Sequence, residues 1–361
     1  MAIDKERIRV GVLMGGASAE REVSLASGRN IVETLDRSKY EVYPIEIGMD
    51  SKWYLHHLDS PLLDPTDVIE TEPGPPETYV PPPPSTSELV TGRVMRGRID
   101  VIFPALHGPG GEDGTLQGFL DTMEIPYVGS GVLASALTMD KARCKTFLAA
   151  HGLPTPKWIT FTRGQWERGR AELCEEIGEK FTEGYVVKPN NQGSTLGMAL
   201  MEPGEEPERA VTSALSYSSQ VLIEQWIRGR ELTCGVYGGE EPETLPVTEI
   251  RTATGFFDYA AKYQPGRAQE ITPADIPEDL TKEIQSLANR AHCTLGCSGL
   301  SRTDFMLDGD RPTILETNTI PGMSRMSLIP RACATAGIEF DTILDRIIGE
   351  ALFSEQLVPV G

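Results

Sequence analysis

The chain has 361 residues, 39% hydrophobic and 24% charged, with a formal net charge of -20. That length accommodates two or three domains, each able to build a core, and the acidic surplus excludes general nucleic-acid binding, which needs clustered cations. No apolar run approaches a membrane span and the opening MAIDKERIRVGVL lacks a signal-peptide layout, so a cytoplasmic protein without a membrane partner is expected.

Arg9 to Met14 (RVGVLM) reads as a strand closing on Gly15-Gly16, and a helix follows from about Arg21 to Leu35, with Val23, Ala26, Ile31 and Leu35 as its apolar positions. Strand, glycine turn and helix N-terminus together offer backbone N–H groups and a helix dipole to a ligand. GGASAE is not a dinucleotide fingerprint, because it lacks GxGxxG. Glu20, just before the helix, has two readings: a complement to the dipole, or a carboxylate aimed at a substrate ammonium. Tyr40 to Ile47 is a second strand, and residues 51 to 72 read as irregular and acidic. Glu72 to Ser87 contains PGPPETYVPPPPS, a polyproline loop or insertion to which no chemistry attaches. Asp100 to Ala105 reads as a buried parallel strand running into His107-Gly-Pro-Gly-Gly-Glu112-Asp-Gly, and Thr115 to Met123 as a helix. Loops at such strand ends carry ligand sites, which puts His107 and Glu112 within reach of Glu20's cleft. Pro126 to Ser130 is a further short strand and turn.

Met139-Asp140-Lys141 begins a helix to about His151. Gly184 to Pro189 is a strand bearing Lys188, followed by Asn190-Asn191-Gln192-Gly193-Ser194-Thr195-Leu196-Gly197. This glycine loop is either a flap that closes over phosphates or an ordinary hairpin loop; without Gly-Lys-Ser/Thr it is not a P-loop. Val221 to Trp226 is a strand bracketed by Glu224 and Glu231, where an adenine could bond to backbone and a glutamate to ribose. TGFFDYAAKY reads as a covering loop with Lys262 and Tyr263 at its tip. Thr281 to Thr294 and Glu339 to Phe353 read as amphipathic helices. Six cysteines (144, 174, 234, 293, 297, 333) form no CxxC pair and are expected to be free, buried thiols.

The strongest local signal is a hairpin, Arg302 to Leu307 and Thr313 to Asn318 around Asp308-Gly309-Asp310. A side-chain period of two puts Arg302, Asp304 and Met306 on one face, and antiparallel pairing can set Glu316 and Asn318 opposite Asp304 and Arg302. Three oxygen-bearing side chains suit a hard cation such as magnesium, and the guanidinium suits an anion or developing negative charge. A merely solvated acidic face is the competing reading.

Taken together, GGASAEREVS, HGPGGEDGTLQG, SALTMDK, VVKPNNQGSTLGM, VLIEQW, FFDYAAKY, SRTDFML and LETNTIPGMS resemble the D-alanine-D-alanine ligases, ATP-grasp enzymes of peptidoglycan precursor synthesis, nearly end to end. The resemblance implies an α/β, three-domain ATP-grasp fold: an N-terminal doubly wound parallel-sheet domain over 1–130 with the proline-rich insertion 72–87, a central lid over 131–222, and a C-terminal catalytic domain over 223–361. It implies ATP, two magnesium ions on Asp304, Glu316 and Asn318 with manganese as a substitute, phosphate-binding Lys141 and Lys188, and Glu224 and Glu231 at adenine and ribose with Trp226 and Phe256 flanking the base. It further implies Glu20 at the ammonium of the first D-alanine with His107 beside it, Arg302 and the Gly322 N–H as an oxyanion hole, and Ser327 and Leu328 at the second substrate's carboxylate. Ser194 and Tyr263 would join Glu20 in clamping the loops, Lys262 would touch the γ-phosphate, and the protein would be a homodimer. Tyr263 is absent from the relatives that make D-alanine-D-lactate, so its presence implies the dipeptide. Arg325-Met326 departs from the family's smaller or polar residues there and keeps open the alternative of D-serine or D-lactate as second substrate. A non-catalytic nucleotide-binding protein is the third reading; it predicts loss of Glu20, Ser194, Tyr263 or Arg302, and all four are present.

Overall fold

The computed structural model describes residues 7–56, 88–89, 98–193, 195–252 and 268–353. Ser194, Phe256, Lys262, Tyr263 and the proline-rich segment 72–87 lie outside the described residues. Three sheets organise the chain.

The first sheet has the order β4-β3-β2-β1-β5 (Glu88–Leu89, Trp53–Leu55, Tyr40–Ile47, Ile8–Gly15, Val101–Pro104). Its centre is parallel, with Val10 opposite both Val42 and Val101, and Tyr127 adds a parallel bridge to Ile102. Such a sheet must bury both faces, and the alternation of β1 achieves this. Val10, Val12 and Met14 face helices α1 (Arg21–Thr34) and α10 (Phe340–Phe353). Leu13 points the other way, toward Leu116 and Leu120 of α2 (Thr115–Thr122). The stretch expected to be irregular after residue 51 contains β3, which pairs antiparallel with β2 and sets Trp53 edge-on to Phe119 at 5.6 Å.

Helix α1 carries an unexpected face. Its buried residues are Ser24, Ser27, Gly28, Asn30, Ile31 and Val32, so a polar row at three-residue spacing is turned inward, while Val23 and Ala26 are only half-buried. The helix expected to begin at Met139-Asp140-Lys141 is α4 (Lys141–Ala150), and a further helix, α3 (Val132–Met139), precedes it. Asp140 between them is extended, and its carboxylate accepts the Arg143 N–H at 3.0 Å as the N-cap of α4.

The second sheet, β6-β9-β7-β8 (Trp158–Thr162, Gln220–Gln225, Tyr185–Pro189, Ala199–Met201), is antiparallel. It is covered by α5 (Arg163–Arg168), α6 (Arg170–Lys180) and α7 (Glu208–Tyr217) through Trp166, Ile177, Val211 and Leu215. The third is the antiparallel sheet β13-β12-β10-β14-β15 (Ala268–Ile271, Thr248–Thr252, Arg230–Tyr237, Leu300–Asp308, Arg311–Asn318), with β11 (Glu243–Thr244) on β10. Helix α8 (Glu278–Leu295) backs it: Ile284, Leu287, Ala288, Ala291 and Leu295, at helical spacing, pack on Leu232, Val236, Phe305 and Ile314. Helix α9 (Leu328–Thr335) precedes α10.

One core crosses the expected domain limits. The β1–β5 face is covered by Ile343, Leu344, Ile347 and Ile348 of α10 and by Leu300, Ile320 and Met323. Each such fully buried aliphatic side chain contributes about 1.5–3 kcal/mol. The cysteines are free, as expected, but Cys293 is exposed and Cys174 only partly buried.

Candidate active site

The first wall is built by the β1 turn and the loop after β5. Ser24 of α1 accepts the Gly15 N–H at 2.8 Å and donates to the Ala105 carbonyl at 2.6 Å, tying the two strand ends together. Ser18 donates to the His107 carbonyl at 2.8 Å. Glu20 stands at the N-cap position of α1 without capping it by its side chain. Glu112 accepts the Gly108 N–H at 2.7 Å. Burial and the neighbouring Glu20 push the Glu112 carboxyl up to about 8. His107 is buried and bonds Ser27 Oγ through Nε2 at 3.2 Å; burial, with Arg302 nearby, pushes its imidazole down to about 4, so it is neutral at pH 7.

The flap between β7 and β8 reaches this wall. A Cβ on Gly193 would lie 2.8 Å from Glu20 Oε2 and 3.5 Å from Glu112 Oε2, so only glycine permits the approach. Two sheets therefore meet at Glu20.

The second wall holds three lysines. Lys188 on β7 and Lys145 on α4 are both ion-paired to Glu224 on β9, and all three are buried, at 8%, 2% and 1% exposure. Burial would raise the Glu224 carboxyl, but the two ammonium groups hold it below the ordinary range. Burial depresses Lys145. It acts on Lys188 in the same direction but is outweighed there by Glu224, Glu316 and Glu231, so that this ammonium is raised. Lys141, first residue of α4, donates to the Gln192 carbonyl of the flap at 2.6 Å and lies 3.3 Å from Glu316 on β15.

The third wall is the hairpin, in the register expected: Arg302 opposite Asn318 and Asp304 opposite Glu316, with a bulge after Asp304. Thr303, Phe305 and Leu307 pack inward, leaving Arg302, Asp304 and Met306 on the other face. Arg302 grips Asp304 with two bonds of 2.8 Å, Thr233 donates to Asp304 at 2.7 Å, and the Asn318 amide donates to it at 3.1 Å. The donor set of Asp304, Glu316 and Asn318 is oxygen-only and fits a hard cation. Among the described residues no three His, Cys, Asp or Glu side chains are grouped so that they could hold a metal ion.

Glu231 lies opposite Met306 on β10. Trp226, in the link after β9, has the Arg228 guanidinium 3.9 Å from its ring centre, and Arg228 pairs with Glu202 at 2.6 Å. Beyond the hairpin, Ser327 bonds Ser324 at 2.8 Å, and a Cβ on Gly322 would come within 2.9 Å of Ser327 Oγ. Leu328 and Arg302 line a small cleft with Thr233 and Thr248. Arg325 turns away to Glu33 on α1 at 2.9 Å, and Met326 is 76% exposed.

Thus Glu20 and His107 share one wall, Lys141 and Glu316 adjoin, Lys188 and Glu224 pair, and Arg302, Asp304 and Asn318 form one network. Lys145, Thr233, Ser27 and Asn30 were not expected. Lys145 had a signal: it falls four residues after Lys141, on the same helical face.

A parallel-sheet unit supplying one wall, an antiparallel sheet carrying a glycine flap, and a third sheet presenting an acidic hairpin make up the three-domain ATP-grasp α/β fold. Family models of the D-ala D-ala ligase N-terminus and C-terminus match residues 9–130 and 147–349. The chain is 40% identical over 347 residues to the D-alanine–D-alanine ligase of Pelotomaculum thermopropionicum, covering 96% of this chain and 97% of that one. The solved VanG D-Ala:D-Ser ligase of Enterococcus faecalis aligns with a TM-score of 0.81 at 31% identity, over 96% of this chain and 100% of that one. D-alanine–D-alanine ligase of Bacillus anthracis complexed with ATP aligns with a TM-score of 0.71 at 30% identity, over 96% and 97%. The chain belongs to the D-alanine–D-alanine ligase family.

Proposed function

We propose that the protein joins two D-alanine molecules at the expense of ATP, through a D-alanyl phosphate, and so supplies a peptidoglycan precursor. The observation that carries this reading is the meeting of three sheets at one place: Gly193 of the flap against Glu20, and Lys141 between the flap carbonyl and Glu316 of the hairpin.

A carboxylate resists nucleophiles until one oxygen becomes a leaving group, which transfer of the γ-phosphoryl group accomplishes. Lys141 and Lys188 would hold the phosphates, Glu231 the ribose, and Trp226 the base, with Glu224 contributing at the adenine from its lysine pair; Phe256 and Lys262 belong to the same nucleotide site. Asp304, Glu316 and Asn318 would hold magnesium, two ions or manganese in their place, which when bound neutralises charge on the transferring group. Glu20, with His107 beside it, would take the first D-alanine ammonium. The second D-alanine, its carboxylate at Ser327 and Leu328 and its ammonium deprotonated in the site, attacks the acyl carbonyl through its amine. Arg302 and the Gly322 N–H would stabilise the resulting oxyanion. Collapse of the tetrahedral species breaks the C–O bond to phosphate, which leaves as the amide forms. Ser194 and Tyr263 would link flap and covering loop to Glu20, excluding water from an intermediate that hydrolyses readily.

We place the domain limits near residues 130 and 222, the second within β9, which runs from Gln220 to Gln225. No described helix is long and apolar enough to cross a membrane; cytoplasmic location and a homodimer complete the proposal.

A D-serine or D-lactate second substrate is the alternative, favoured by the likeness to the D-Ala:D-Ser ligase. Arg325 and Met326 point out of the cleft and lend it no support. The deciding experiment measures ATP-dependent phosphate release with magnesium and D-alanine, L-alanine, or D-alanine plus D-serine or D-lactate, with products identified by mass. Dipeptide from D-alanine alone is expected; silence with D-alanine and turnover with another pair would transfer the assignment to that pair.

A further inference from the structure

Helix α1 turns Ser24, Ser27 and Asn30 into the core. Burying polar groups costs free energy unless each finds a partner, and here every partner is the site's own framework. Ser24 joins the ends of β1 and β5. Ser27, fully buried, accepts the Met323 N–H at 3.0 Å and bonds His107 Nε2 at 3.2 Å. Asn30, 7% exposed, donates to the Met323 carbonyl at 2.7 Å. Both backbone groups of one residue are therefore held by one helix nearly 300 positions earlier in the chain.

Met323 follows Gly322, whose N–H is the backbone donor in the oxyanion hole proposed above. A Cβ at 322 would come within 2.9 Å of Ser327 Oγ, and the residue there is glycine, the one with the most backbone freedom. That freedom has to be removed from outside. Clamping the peptide plane between 322 and 323 and the carbonyl of 323 does so. We infer that Ser27 and Asn30 are positioning residues that aim the Gly322 N–H, tying the oxyanion donor to the helix whose N-terminus carries Glu20. The inference rests on the proposed ligase chemistry.

The test compares wild type with Ser27→Ala, Ser27→Thr and Asn30→Leu in two measurements. Positional isotope exchange in ATP with D-alanine reports acyl-phosphate formation, in which no carbonyl oxyanion develops. Dipeptide turnover reports the attack step. Ser27→Ala and Asn30→Leu are expected to lower dipeptide kcat about 10- to 100-fold, the range for a displaced catalytic group, with isotope exchange and the KM for ATP within about threefold of wild type. Ser27→Thr, which keeps the hydroxyl, is expected to recover most of the loss. Folded variants with dipeptide turnover within twofold of wild type, or with both steps reduced alike, would overturn the inference. If Asn30→Leu does not fold, the Ser27 pair decides alone. A wild-type chain that makes no dipeptide overturns the ligase reading, and this inference with it.

Discussion

Glu112 and Glu20 place two carboxyls beside each other and beside Arg302, and the cost of that crowding falls on Glu112. Its carboxyl rises from an ordinary 4.5 to about 8 through burial and the Glu20 charge. Between those values the folded chain keeps a proton that the unfolded chain has released, so this contribution is fully present below pH 4.5 and is lost as pH rises toward 8. His107 and His292, both pushed down to about 4 by burial, act in the opposite sense as pH falls from 6.5. In urea unfolding of the unliganded protein, Glu112→Gln is expected to gain stability relative to wild type from pH 5 to pH 8, with the histidine effect common to both. A constant difference across that range would place the shared proton elsewhere. Glu20→Gln should raise the KM for the first D-alanine roughly 10- to 100-fold, the worth of one charge-assisted bond, with ATP affinity nearly unchanged; loss of ATP binding instead would mean that Glu20 serves the nucleotide. At this scale the placement of His107 and Glu112 in one glycine-rich loop beside Glu20 was legible, because the loop follows directly on a buried strand. The sequence was least legible at Ser27 and Asn30, because serine and asparagine in a helix usually face water and nothing local marks them as buried.

Elements were legible in proportion to how locally their pattern is determined. The β14–β15 hairpin has its turn, its alternation and its charged pairs within seventeen residues, and its register follows from them. The start of α4 at Asp140-Lys141 was legible because an N-cap carboxylate marks it; α3 just before it was not read, its eight residues VLASALTM carrying no cap signal and no polar face. Strand β6 and helices α5, α6 and α7 were not read at all. α6 buries only Ile177 of its eleven residues, so its sequence shows charge rather than an apolar stripe. The flap gives a prediction at this scale. Gly193→Ala introduces a Cβ 2.8 Å from Glu20 Oε2, so either the flap or the carboxylate must withdraw. D-alanine-dependent turnover is expected to fall about 10-fold or more while thermal stability stays within roughly 0.5 kcal/mol, the usual range for a surface substitution. Unchanged turnover would show that the flap does not make this approach during catalysis.

At the scale of the whole molecule, the walls belong to three sheets and the nucleotide would bridge two of them. ATP with magnesium is therefore expected to raise the melting temperature, with about 2.7 kcal/mol gained at a hundredfold excess over Kd; ATP with a chelator should give much less, since Asp304 and Glu316 would repel the phosphates. Equal shifts in both conditions would argue against a metal at the hairpin. Length alone led to an expectation of two or three domains, each able to build a core; it carried no signal that α10 and Met323, far along the chain, pack into the core of the N-terminal sheet.

That shared core has a consequence for synthesis on the ribosome. Residues 9–130 emerge before α10 and can pair their parallel strands, yet the face formed by Val10, Val12, Met14, Val42 and Phe103 lacks part of its cover until Ile343 to Ile348 have left the exit tunnel. For most of translation the nascent chain thus displays an apolar surface of the kind that recruits chaperones or invites aggregation. A fragment ending at residue 130 is expected to bind a hydrophobic dye and to melt without a sharp transition, and a separately supplied peptide spanning α10 should reduce the dye signal; a fragment that melts cooperatively by itself would show that α1 alone seals the sheet. Helix α10 would then act as the closing stitch of a sheet whose strands are made long before it.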